Sequence, residues 1–237
     1  MTEKATSNKT LNHFTLFRFT PAYWSLDPAA RVSFFSTWQA ELQATGACTY
    51  HYQVGPLSAK ADALLWSALP IEGNGDSAQF FGALGHALNA RREWIEPVET
   101  LWGYTKPSQY ARGNSPQEID PLKPQRHTYL IVYPFVKTAD WYLLSRDTRQ
   151  GMMNQHIRIG HQYPEIQQLL LYSFGLQDQE FVVVYETEDL QRFSELVNEL
   201  RSSEARRYTL RDTPVWTAIW RSPEAMNALY AGKQASS

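Results

Sequence analysis

Hydrophobic and polar positions along this 237-residue chain follow one order, and that order occurs twice. Alternation in "HFTLFRFT" (13–20) predicts a strand. Asp27-Pro28 then opens a helix, with a side-chain acceptor at the cap and proline in the first helical position. "ACTYHYQV" and "ADALLWSAL" predict two strands, 76–92 a helix, and "VETLWGYT" (98–105) a fourth strand. The second pass runs through "TYLIVYPF" (128–135), a helix opening at Ser145, and the strands "QLLLYSF" and "FVVVYET". It closes with a helix near 188–202 and the strand "PVWTAIW" (214–220). This is β-α-β-β-α-β twice, the ferredoxin-like order.

The two passes echo each other in residues as well as in pattern. Tyr23-Trp24 follows the first strand of one, and Trp141-Tyr142 that of the other. "LDPAAR" (26–31) answers "LSRDTR" (144–149), and "YQVGPL" answers "YSFGL". Such duplication predicts an α+β fold in which two ferredoxin-like repeats pack as a dimeric α+β barrel within one chain. The boundaries read from composition are a polar tail at 1–12, a first half at 13–110 and a joining segment at 111–127. A second half at 128–222 and a polar tail at 223–237 complete the chain. Both tails are expected to fray, and the Pro-, Gly- and polar-rich "YARGNSPQEIDPLKPQR" to act as the connection.

Composition narrows the function classes. Apolar residues make up 43% and aromatics 14%, enough for a substantial core. The net charge of −2 lacks the basic excess that a broad nucleic-acid footprint needs. Cys48 is the only cysteine, which rules out an internal disulfide and a cysteine-based zinc site. "MTEKATSNKT" has no apolar core of a signal peptide, and no window approaches an uninterrupted membrane span. A soluble, cytoplasmic protein is the expectation.

Candidate chemistry gathers in "MMNQHIRIGHQYPEIQQLLLYSFGL" (152–176). On a helix over about 147–160, His156 shares an apolar stripe with Met152, Met153 and Ile159. His161 lies roughly 140° further round the axis. The pair therefore lacks the i,i+4 spacing of two-histidine helical metal sites. His156 follows the cap Ser145 by eleven residues, as Trp38 follows Asp27, so an imidazole stands where the first half has an indole. A buried imidazole costs free energy unless its nitrogens find partners. Two readings stay open: a core histidine satisfied by hydrogen bonds, or the single ligand of a cofactor that needs a cavity, such as haem. Gln168, Leu170, Tyr172 and Phe174 share one face of the following strand. The glutamine is either a solvent-side strand end or a polar group aimed into a pocket. Tyr133, Lys137, Trp141 and Tyr142 make a further cluster, whose plain reading is aromatic core beside a solvated lysine.

At these residues the chain resembles the chlorite dismutase family of haem proteins, most of all its coproheme decarboxylase branch. "YPFVKTADWYLL" (133–144), "MMNQHIRIGHQYPEIQQ" (152–168), "YSFGLQDQEFVVVYETEDL" (172–190) and "YTKPSQY" (104–110) carry the likeness. It runs over nearly the whole chain and is strongest in 128–219. The resemblance implies two ferredoxin-like repeats forming a barrel, haem in the second repeat, and a ring-shaped homopentamer. It implies His156 as the proximal iron ligand, Lys137, Trp141 and Tyr142 as lining of the haem site, and Arg201 as a seat for coproheme carboxylates. The distal position that separates the branches corresponds to Gln168. Chlorite dismutases carry arginine there, a fixed cation for chlorite or hypochlorite that a glutamine does not supply. Tyr133-Pro134 likewise resembles the decarboxylase branch.

The activity that this resemblance implies is hydrogen-peroxide-dependent oxidative decarboxylation of iron-coproporphyrin III (coproheme) to haem b. In that reading Tyr133 is oxidised to a radical that takes a β-hydrogen from a propionate. Lys137 is a nearby cation or proton source, and Gln168 is the distal group. Two departures stand out: the His156–Gln168 spacing is one residue shorter than usual, and Arg206 falls where the family has serine. Alternatives are a weak peroxidase or chlorite-degrading enzyme of the same family, and a barrel that binds or assembles without catalytic haem.

Overall fold

The computed structural model describes residues 9–110 and 115–232. In the first half, strands β1 (Thr10–Phe19), β2 (Cys48–Gln53), β3 (Ala63–Pro70) and β4 (Ile95–Thr105) lie in the order β4-β1-β3-β2. A short helix α1 (Pro21–Trp24), then α2 (Pro28–Gln43) and α3 (Asp76–Asn89), supply the helix layer. The second half repeats the plan with β5 (Tyr129–Lys137), β6 (Gln167–Tyr172), β7 (Phe181–Thr187), a three-residue β8 (Thr209–Arg211) and β9 (Trp216–Arg221). Its sheet order is β9-β5-β7-β6, the same topology, with β8 added beside β5. Helices α4 (Ala139–Leu143), α5 (Arg146–Gly160) and α6 (Leu190–Arg201) belong to this half, and α7 (Pro223–Ala231) follows β9.

Antiparallel pairs β4–β6 and β2–β9 join the two sheets edge to edge, so eight strands close into one barrel. The strand period of two sorts the side chains. Phe14, Leu16, Trp66, Val132, Leu171 and Val184 fill the barrel, while Phe17, Leu65, Ile131 and Tyr185 face the helix layers. Gly103 makes the β4–β6 seam possible. A Cβ there would stand 2.6 Å from Ser173 Oγ and 2.8 Å from the Tyr172 carbonyl. Helix starts follow the caps read from the pattern: Asp27 accepts the Ala30 N–H at 2.8 Å, and Ser145 that of Thr148 at 3.1 Å.

Three expected boundaries move. Thr10, Leu11 and Asn12 are buried within β1 rather than frayed. The Thr10 N–H donates to Thr105 Oγ1 at 2.8 Å, and Asn12 accepts from the Trp66 indole at 3.0 Å. The segment after 222 continues as α7, whose Met226 and Tyr230 pack into the first-half core. In the joining segment, 111–114 lie outside the described residues, and the stretch from 115 onward is firmly docked. Gln117 and Ile119 are buried, and the Tyr50 hydroxyl lies 2.8 and 2.9 Å from the Pro121 and Lys123 carbonyls. Among the described residues no helix is long and apolar enough to cross a membrane.

Candidate functional site

Between the helix-facing side of β5, β6 and β7 and the helices α5 and α6 lies a cavity of about 520 Å³. Its floor is a lattice of paired strand residues. Gln168 pairs with Tyr185, Leu170 with Val183 and then Tyr133, and Tyr172 with Phe181 and then Phe135. Leu169 and Leu171 point the other way, into the barrel. Leu170 stays 42% exposed in a central row of that floor because no helix side chain covers it. The row from Gln168 to Phe174 is therefore cavity wall.

His156 borders this space from α5, and His161 does not: it is exposed at the C-cap of the same helix. Burial, helped by the positive charge of Lys137, pushes the His156 imidazole down to about 4, so it is neutral at physiological pH. Among the described residues no side chain or carbonyl hydrogen-bonds to its ring. A core histidine would be partnered; this one is not.

The other candidates border the same space. Tyr133 rises from β5, its ring nearly parallel to that of Tyr185 with centroids 6.4 Å apart. Burial first, then the Tyr185 phenol, raises the Tyr133 phenol well above its ordinary value, so it keeps its proton. Lys137, at the end of β5, is not the solvated lysine of the plain reading. Its Nζ sits 4.3 Å from the centroid of the Trp141 ring and 3.4 Å from the Ala205 carbonyl. Burial and the nearby Arg206 lower its ammonium to about 8, against an opposing pull from Glu180. Trp141 and Tyr142 lie on α4; Trp141 is buried, and the Tyr142 hydroxyl donates to Glu180 Oε2 at 2.5 Å.

Arg201 ends α6 with Nη2 3.6 Å from Asp212 Oδ2, and the same carboxylate oxygen accepts from Arg206. One acid shared by two arginines leaves a positive surplus at this rim. Two further groups escaped the sequence reading. The Arg149 Nε on α5 and the Tyr110 hydroxyl are buried, have no hydrogen-bond partner among the described residues, and belong to residues that line the cavity. The chain did carry a signal for Arg149, which stands two helical turns before His156 on one stripe.

The donor set discriminates between kinds of metal ligand. Among the described residues no cluster of three or more His, Cys, Asp or Glu side chains could hold a bare ion. A single neutral imidazole suits an iron that brings its other ligands in a porphyrin ring. An apolar floor of this size, with unpartnered donors at its rim, fits a flat apolar ligand that carries carboxylates.

Fold and cavity together define a duplicated ferredoxin-like barrel with one hollow half, and a lone neutral imidazole borders the hollow. The chain belongs to the chlorite dismutase family, whose family model matches residues 29–221. It is similar to the coproheme decarboxylase of Mycolicibacterium smegmatis, with 26% identity over 213 residues, 89% of this chain and 90% of that one. Its match to the coproheme decarboxylase of Staphylococcus carnosus is 30% identical over 161 residues, 61% of this chain and 62% of the relative's length. Solved structures agree on the fold. Chlorite dismutase from Candidatus Nitrospira defluvii in complex with imidazole superposes with a TM-score of 0.80 at 22% identity, over 94% of this chain and 95% of that one. An arginine-to-lysine variant of that enzyme gives 0.80 at 22% identity, over 95% and 97%.

Proposed function

We propose that this protein decarboxylates propionates of iron-coproporphyrin III with hydrogen peroxide as oxidant, yielding haem b. The observation that carries the reading is His156, neutral and unpartnered at a cavity that also takes in Tyr133, Lys137 and Arg201. Each propionate that becomes a vinyl group releases carbon dioxide, one proton and two electrons, and one peroxide takes up two electrons and two protons to become two waters. The iron porphyrin, when bound, supplies the oxidising chemistry that peroxide drives.

The chain's own residues divide the remaining work. His156 would hold the iron through a ring nitrogen that needs no deprotonation. Tyr133 keeps its phenolic hydrogen at neutral pH, so it would be able to lose it to the centre that peroxide oxidises and recover a hydrogen atom from a propionate β-carbon. Lys137, poised near 8, carries the proton that the overall balance consumes. Arg201 pairs with one carboxylate, and Arg149 with Tyr110 offers donors to another. Trp141 and Tyr142 wall the site and set Lys137 and Glu180 in place. Gln168 offers the cavity an amide that can hydrogen-bond without bringing a charge, which favours this reading over chlorite breakdown. The reading extends to a cytoplasmic homo-oligomer, with sedimentation at micromolar concentration as its check.

Purified protein loaded with ferric coproporphyrin III and titrated with peroxide should form haem b, identified by mass spectrometry. Tyr133→Phe should bind the porphyrin and leave its propionates intact. Binding by the wild type with no haem b under any peroxide regime sinks the assignment.

A further inference from the structure

The end of α5 is held from outside the second half. Its C-cap, His161, is right-handed at φ −67°, with no left-handed glycine to close the last turn. The corresponding helix of the first half ends locally. After α2, Thr45 Oγ1 donates to the Leu42 carbonyl at 2.6 Å, and Gly46 turns left-handed at φ 76°. At α5 the Gly160 and Tyr163 carbonyls accept the Tyr163 and Ile166 N–H groups at 3.1 Å each, and Gln117 in the joining segment adds side-chain donors from outside. Its side-chain Nε2 lies 3.3 Å from the Gly160 carbonyl, 2.9 Å from that of Tyr163 and 3.0 Å from that of Ile166. These are the end of the helix and the turn that leads into β6.

Gln117 also grips the other wall. Its carbonyl accepts the Gln168 N–H at 2.8 Å, and the Gln168 carbonyl accepts from Ile119 N–H at 3.0 Å. Glu118 completes a parallel bridge to Gln168. Gln117 is buried, and does not itself line the cavity. One residue therefore ties the helix that bears His156 to a strand residue that lines the same cavity. We propose that Gln117 is a positioning residue, setting the His156 helix against Gln168 and so the seat of the iron. The inference rests on the porphyrin reading of the cavity.

Gln117→Met keeps the length of the side chain and removes both N–H donors. In the ligand-free protein, amides of 157–168 should exchange about tenfold faster once these bonds are lost. Loaded with ferric coproporphyrin III, the variant should bind about tenfold more weakly, as loss of an outer support to a metal ligand does. Its electron paramagnetic resonance signal should broaden relative to wild type, a change that a purely structural residue would not cause. Gln117→Asn, with its donors one methylene short, should lie between the two and serves if the methionine variant does not fold. Wild-type uptake with affinity and iron signal unchanged in both variants overturns this inference alone. A wild type that takes up no ferric coproporphyrin overturns the reading of the cavity, and this inference with it.

Discussion

The two halves of the barrel share strand order, helix order and cap spacing, yet their helix–sheet layers hold different things. In the first half Trp38 stands eleven residues after its cap and is 1% exposed, packed edge-on against Phe17 at 5.1 Å with Phe34 at 5.5 Å. Its sheet floor is small or polar at Thr15, Ala63 and Ser67, and the helices supply the bulk. In the second half His156 holds the equivalent place, and the bulk has moved to the floor as Tyr133, Phe181 and Tyr185. There the helix layer splits into two smaller clusters, one around Ile131, Ile159 and Leu196 and one around Trp141 and Met152, both bordering the cavity. Duplication thus lets one copy serve as ballast while the other gives up packing for a site.

Truncation on the two sides should break the symmetry most. Trp38→Ala removes a fully buried indole and should cost about 3–5 kcal/mol in urea unfolding. His156→Ala, at a site already open, should stay within about 1 kcal/mol of wild type while removing the histidine that would hold a bound iron porphyrin. Equal losses of stability would contradict the comparison.

Acid titration ranks next. Burial holds His13, His51 and His156 at about 4, below the ordinary 6.5. The unfolded chain therefore binds more protons than the folded one between those values. Stability is complete above 6.5 and is lost as pH falls toward 4, by about 3 kcal/mol for each ring. Glu186 acts in the opposite sense, since burial raises it to about 7 and the folded chain keeps a proton that the unfolded chain releases above 4.5. In urea midpoints measured against pH, His51→Gln should flatten the acid limb and Glu186→Gln should steepen it. A limb unchanged by either would show that these groups are not buried as described.

Filling the hollow is a gentler probe. Leu170→Trp should change stability by less than about 1 kcal/mol and weaken porphyrin binding more than tenfold, read by absorption titration. Smallest is Lys137→Met. Removing the lesser of the two influences on His156 should raise its imidazole by a fraction of a unit in an NMR titration, still well below 6.5.

Much of this was legible along the chain because the pattern occurs twice. Two instances of one cap-to-face spacing put Trp38 and His156 in register before any contact was known. The features that stayed hidden depend on partners far away in sequence. Thr10 and Asn12 look like a polar tail until Thr105 and Trp66 supply their hydrogen bonds. The helix at 223–231 is followed by the polar run "GKQASS", and its apolar stripe finds a core on the opposite half. Gln117 and Tyr110 sit in a segment whose composition says only loop, and their roles come from α5, β6 and the cavity.

The central claim is that the hollow half is an iron-porphyrin site built around His156. Adding ferric coproporphyrin III to the ligand-free protein and watching the Soret band tests it most directly. The expected result is a saturable one-to-one band shift in the wild type, and a band without histidine ligation in His156→Ala. No shift in the wild type, or identical spectra for the two proteins, would contradict it.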